Sequence, residues 1–115
     1  NSLYTLSNSS LMAVKDILWR LIDNDIPLAN DDFTTYLIKD GIVTEEDLKV
    51  WNEATKKVKE AYKLIGNKQT ALNLLNEALK LLESISPKKP LPPDVKTRFE
   101  EVKRNVKLAI EELSR

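Results

Sequence analysis

Apolar residues along this chain recur at steps of three and four, with no stretch of strict alternation, so the pattern predicts helices and no strands. The first run, Leu11, Val14, Leu18, Leu21 and Ile22, follows a polar lead over residues 1–10, in which Ser9 or Ser10 can serve as N-cap. It is expected to fail at Asp23-Asn24-Asp25-Ile26-Pro27, where turn-forming side chains meet a ring with no backbone donor. A short second helix, from Asp32 to Lys39, turns Phe33, Tyr36 and Leu37 inward and stops at Asp40-Gly41. Gly41 suits the left-handed position after a helix, with Ile42 folding back over the end.

Thr44-Glu45-Glu46-Asp47 opens a long third helix. The Thr44 hydroxyl can accept from a free amide while Asp47 reaches back, and three carboxylates in the first turn suit the helix dipole. Its core stripe is Trp51, Ala54, Val58, Ala61 and Ile65, ending at Gly66. Asn67 caps a fourth helix, Lys68 to Ile85, whose Leu72, Leu74, Leu75, Leu79, Leu81 and Leu82 wrap so widely that a central position is expected. Residues 86–93, with Lys88 and Lys89 among prolines, read as a stiff extended linker. The fifth helix, Asp94 to Leu113, carries Val95, Phe99, Val102, Val106, Ala109 and Leu113 on one stripe. The expected fold is all-α: a compact bundle of about five helices, the third, fourth and fifth the longest, in one domain over residues 1–115 with a lead at 1–8.

Composition narrows the chemistry. A chain of 115 residues can bury about two-thirds of its unfolded surface without disulfides or metals. Cysteine and histidine are both absent, which removes thiolate metal sites, the commonest general base and every Ser-His or Cys-His nucleophile pair. Catalysis is therefore not expected of this chain alone. No apolar run approaches the ~18 residues of a membrane span, and neither a signal peptide nor a membrane partner is expected; the cytoplasm is the expected location. The chain begins at Asn1 and is read as a segment of a longer protein.

Charge changes the picture most. Residues 1–55 hold four basic residues (Lys15, Arg20, Lys39, Lys49) against ten acidic ones, a net of −6. Residues 56–115 hold fourteen basic residues against eight acidic, a net of +6. A zero total thus hides two poles, and the basic one is where an anionic partner is sought.

Two helices and the linker carry the candidates. On the third helix, at about 100° per residue, Lys49, Asn52, Lys56, Lys59 and Lys63 share a sector, with Thr55 and Tyr62 between it and the core. A lysine row edged by an aromatic can follow a phosphate backbone and stack a base; it can equally be a plain solvated face. On the fifth helix Lys96, Lys103 and Lys107 share a side, while Arg98 and Asn105 lie on the opposite border of the core stripe, where an arginine can hold a phosphate bidentately. Arg104 belongs to the same basic set, although Glu100, Glu101, Glu111 and Glu112 offset part of it through pairs such as Glu100–Arg104 and Glu111–Arg115. Lys88 and Lys89 of the linker complete three groups that can converge into one concave patch. Trp19, flanked by Met12 and Lys15, either stacks a base or covers the Tyr4–Leu6 lead, and cover is the usual role of a large aromatic beside a core.

Two further sites are weighed and set aside. Asp23, Asp25, Asp31 and Asp32 lack the alternate spacing, glycine and terminal glutamate of a calcium loop, and read as caps and turn residues. Mg²⁺ would enter only with a bound triphosphate. With Gly41 and Gly66 the only glycines, there is no glycine-rich phosphate cradle.

Thr44-Glu45-Glu46-Asp47-Leu48-Lys49 and Ala71-Leu72-Asn73-Leu74-Leu75, in a helical chain of this size with a basic half and no catalytic residues, give it a texture across its full length. That texture resembles the accessory helix-bundle domain of archaeo-eukaryotic primase-polymerases from archaeal plasmids. The resemblance implies a non-catalytic domain that holds single-stranded DNA template and nucleoside triphosphates such as ATP close together, beside the catalytic primase-polymerase domain of the same chain, for the first step of primer synthesis. It implies no intrinsic cofactor. Base selectivity would then fall to Tyr62, Asn52, Asn73, Asn76 and Asn105. The competing readings are a helical bundle that docks a neighbouring domain and a helix-turn-helix reader of duplex DNA.

Overall fold

The computed structural model describes the backbone of residues 2–115 and the side chains of residues 11–115. Four helices build it. Helix α1 follows one helical path from Ser2 to Leu37, as α-helical Ser2–Arg20 and Ile26–Asp32 with π-helical turns at Leu21–Asp25 and Phe33–Leu37. Helix α2 is Glu45–Lys63, α3 is Lys68–Ser84 and α4 is Pro93–Leu113.

The expected first and second helices are therefore one, which corrects the count from five to four. Asp25, Ile26, Asp32 and Phe33 at the junctions all keep right-handed helical dihedrals. Pro27 does not end the path because a wider turn precedes it: the Ile26 N–H donates to Leu21 O, five residues back. Widening the turn there relieves the clash between a proline ring and the carbonyl four residues earlier. The burial pattern shows the same adjustment. Val14, Leu18, Leu21, Ile26, Ala29, Phe33 and Leu37 are all buried, and the single step of five, Leu21 to Ile26, falls on the π-turn. One apolar face thus continues along the whole rod. The helix also begins earlier than expected, at Ser2. The side chains of the lead, including the Ser9 and Ser10 caps and the Tyr4–Leu6 segment, lie outside the described residues.

The punctuation after α1 follows the sequence closely. Gly41 has φ 71°, Gly41 N–H donates to Ile38 O at 3.1 Å and Ile42 N–H to Leu37 O at 2.9 Å, and Ile42 is buried. The Thr44 hydroxyl accepts from Asp47 N–H at 3.1 Å, while Thr44 N–H donates to the Asp47 carboxylate at 2.9 Å, a complete capping box. Asn67 Oδ1 accepts from Thr70 N–H at 3.3 Å to start α3. Pro93 opens α4, where its missing donor removes no helical hydrogen bond.

The helices pack in a ring: α1 on α2, α2 on α3, α3 on α4, α4 on α1. The long axis is 55 Å against 22 Å and 18 Å across. The expectation that the leucine-rich helix is central is corrected by this arrangement. Its centre line, Ala71, Leu75, Ala78 and Leu82, is buried, and Leu72, Leu74, Leu79 and Leu81 are half-buried flanks packed against the core. The wide stripe serves a helix wedged between two neighbours rather than one surrounded by them. Near one end, Phe33, Trp51 and Phe99 form an aromatic cluster with centroids 5.3–5.5 Å apart, and Trp51 Nε1–H donates to Asn30 Oδ1.

Between α1 and α4 the seam is polar. Arg98 holds Asp32 bidentately, Nε to Oδ2 at 2.7 Å and the terminal nitrogen to Oδ1 at 3.1 Å. Asn105 donates to Asp25 Oδ2 at 3.3 Å. Asp25 and Asp32, expected as caps and turn residues, are instead lateral anchors for α4. The bond to Asp32 raises Arg98 above its ordinary pKa, and partial burial followed by the Asp32 charge raises the neighbouring Tyr36 phenol. Asp32 is only 6% exposed, so it depends on its partner. Arg98→Met should lower the unfolding free energy by about 2 kcal/mol, the cost of a buried acceptor left unpaired. The double variant Asp32→Leu/Arg98→Met should recover most of that, as apolar replacements of ion pairs do. Urea denaturation of the three proteins measures both, and a single variant as stable as wild type would contradict the anchoring role.

Candidate functional site

The basic residues reach the surface in two places. On α2, Lys49, Asn52, Lys56, Lys59 and Lys63 are all exposed, and none of these four lysines forms an ion pair among the described residues. The row follows from the helix itself: Trp51, Ala54, Val58 and Ala61 face the core, which turns this sector to solvent. Thr55 is buried at its edge, its hydroxyl donating to Asn52 O at 3.0 Å. Tyr62 is half-buried and leans on Trp19 of α1, ring centroids 5.8 Å apart and planes tilted by 39°. Trp19 is 53% exposed and, with Met12, Lys15, Asp16 and Tyr62, lines a shallow depression of about 330 Å³ on the α1–α2 seam. An aromatic pair with one open face therefore lies beside the lysine row, Lys59 preceding Tyr62 by nearly one helical turn.

The second place is a groove of about 550 Å³ between the end of α3, the linker and the start of α4. Leu82, Ile85, Leu91, Phe99 and an edge of Trp51 supply its apolar surface. Lys88 and Lys89 come from the linker and Lys96 and Lys103 from α4, with Glu100 between the latter two. Lys96, Phe99, Glu100 and Lys103 sit one turn apart on α4, so one helix supplies part of the apolar surface and half of the cations. The linker is held in place by two hydrogen bonds to the loop after α1: Lys88 N–H to Ile42 O at 2.8 Å and Lys89 Nζ to Asp40 O at 3.1 Å. Such a groove can take a planar or aliphatic group on its floor and anionic oxygens at its rim. Ammonium groups beside an apolar wall attract anions more strongly than they would in open water.

The expected single patch does not form. Lys88, Lys89, Lys96 and Lys103 come together on the α3–α4 side. The α2 row borders the α1–α2 seam, the opposite side of a four-helix ring. Lys107 is exposed on the same side of α4 as Lys103 but beyond the groove. Arg98 is a correction, since its guanidinium is committed to Asp32 and Asn105 is committed to Asp25. Arg104 pairs with Glu101, as Arg115 does with Glu112, rather than with Glu100 and Glu111. Lys57, absent from the candidates, bonds Glu77 of α3 at 2.8 Å, which raises its pKa. Asn73 accepts from Gln69 on the exposed side of α3, where Asn76 also lies, and neither lines the groove.

The two-pole expectation is likewise revised. Helix α1 of the acidic half lies along α4 of the basic half and draws Arg98 into the seam, so the charge sorted in sequence is partly mixed in space. The sequence does not show the apolar floor, because Leu82, Ile85 and Leu91 meet α4 only once the linker has folded back, and Glu100, expected to pair with Arg104, lines the groove instead. Among the described residues no three His, Cys, Asp or Glu side chains are grouped to hold a metal ion, and no helix is long and apolar enough to cross a membrane. Comparison with protein-family models, curated proteins and solved structures gives no significant match.

The exposures of the two tryptophans differ enough to check this geometry directly. Trp51 is 2% exposed and Trp19 53%, so acrylamide should quench one fluorescent component and spare the other. Trp19→Phe should remove the quenchable component; equal quenching of both would contradict the placement of Trp19.

Proposed function

We propose that the chain is a non-catalytic accessory domain of a primase-polymerase, holding single-stranded DNA template and nucleoside triphosphates for the first step of primer synthesis. The observation that carries this reading is the groove in which Lys88, Lys89, Lys96 and Lys103 surround an apolar floor, a size and chemistry matched to a base or sugar joined to phosphates. The α2 row supports it as a second anionic track, where Lys56, Lys59 and Lys63 lie beside the Trp19–Tyr62 pair. Phosphates along the lysines and an unpaired base on the open aromatic face are the two components of single-strand binding. Proximity is the benefit: nucleotide and template on one scaffold lower the entropic barrier to the first bond. The catalytic domain of the same polypeptide would perform the chemistry, and any Mg²⁺ would arrive with the triphosphate.

A second reading, a docking surface for a neighbouring domain, draws on the apolar part of the same groove. Ionic strength separates the two. Single-stranded DNA binding should fall steeply between ~50 and 200 mM salt, with a slope of about −0.7 per phosphate contacted, whereas apolar docking should hardly respond. The variant Lys56→Gln/Lys59→Gln/Lys63→Gln should keep its helical circular dichroism and reduce the slope by about 2, as measured by fluorescence anisotropy. Lys88→Gln/Lys96→Gln/Lys103→Gln should instead weaken ATP binding and leave the DNA slope unchanged. DNA affinity untouched by the first variant would remove the α2 row from the reading. Wild-type protein that binds neither ligand would overturn the reading itself.

A further inference from the structure

We propose that Glu100 is a specificity-determining residue of the groove, selecting ligands that join an anion to a hydrogen-bond donor over bare polyphosphates. This rests on the nucleotide reading above. Glu100 lines the groove together with Lys96 and Lys103, which stand one turn to either side of it on α4. Glu53 and Glu77 reach Lys57, Glu101 holds Arg104 and Glu112 holds Arg115. The Glu100 carboxylate has neither an ion pair nor a hydrogen bond among the described residues, although Lys96 and Lys103 line the groove on either side of it. Glu45, Glu46, Glu60, Glu83 and Glu111 also lack an ion pair among the described residues, and Glu100 is set apart from them by lining the groove.

A carboxylate in that position works against the capture of an anion, since like charges repel across a half-enclosed apolar space. An ionised carboxylate is also purely an acceptor. With Lys88, Lys96 and Lys103 available for anionic oxygens and Lys89 held on Asp40 O, a bound ligand gains from Glu100 only by presenting donors to it. In a nucleotide those donors are the ribose hydroxyls or an exocyclic amine of the base, and both chemistries bond a carboxylate well. The groove then has a direction, with phosphates toward the lysines and the nucleoside's donor edge toward Glu100.

Opposite responses to one substitution test this. Glu100→Gln removes a negative charge from an exposed helical position, so calorimetry should show inorganic triphosphate binding tighter by about threefold, as for exposed charge pairs. ATP should bind the same variant about tenfold more weakly, because a charge-assisted hydrogen bond is lost. A glutamate that merely repels anions would make both ligands bind tighter, and that result, or no change in either, overturns the proposal while leaving nucleotide binding intact. If wild-type protein binds no triphosphate at all, the nucleotide reading falls and this proposal with it. Two analogues locate the donor. 2′,3′-Dideoxyadenosine triphosphate lacks both ribose hydroxyls and purine riboside triphosphate lacks the amine; the wild-type preference for ATP over one of them should close in Glu100→Gln, and preferences that survive the substitution unchanged would count against Glu100.

Discussion

The bidentate contact between Asp32 and Arg98 fixes how α4 is rotated, and the rest of the surface follows from that setting. With Arg98 turned toward α1, Phe99 is directed into the aromatic cluster with Phe33 and Trp51. The residues on the other side of Phe99, Lys96, Glu100 and Lys103, then face the linker. Asn105, two turns along on the Arg98 side, repeats the contact through Asp25. A helix whose apolar stripe is Val95, Phe99, Val102, Val106, Ala109 and Leu113 could slide or roll by small amounts at little hydrophobic cost. A buried carboxylate that must be matched removes that freedom, as buried polar groups do where they specify one packing among several.

Much of the fold was legible in the sequence because it is set locally. The Thr44–Asp47 box, the left-handed Gly41, the Asn67 cap and the stripes of α2 and α4 each depend on residues within four positions of one another. What was misread depends on longer range. Pro27 signals a break, yet the step of five from Leu21 to Ile26 shows that the apolar face continues through it. That step was present in the sequence and is readable only by someone who allows a π-turn. The width of the α3 stripe was visible, but a wide stripe fits both a surrounded helix and a wedged one.

The surface was less legible for a related reason. A basic residue looks alike in sequence whether it meets solvent or a carboxylate on another helix. Arg98 had the right chemistry for a phosphate and was instead matched with Asp32, 66 positions away. Lys49, Lys56, Lys59 and Lys63 of α2 have no such partner among the described residues, whereas Lys57 reaches Glu77 of α3. The net values of −6 and +6 for the two halves therefore overstated the separation, because part of each was spent at the seam where the halves meet. The joining of Lys88 and Lys89 to Lys96 and Lys103 required the linker's path, which prolines stiffen but do not aim.

That path has a mechanical consequence. One wall of the groove is the segment between α3 and α4, yet its moorings lie on the turn joining α1 to α2, through Ile42 and Asp40. The width of the mouth is therefore governed from a remote part of the chain. Gly41 sits beneath the Lys89 mooring, 3.9 Å from its Nζ where a Cβ would be, and at a φ that other residues adopt only under strain. A change of backbone shape at that one turn would reach the pocket without altering any residue that lines it.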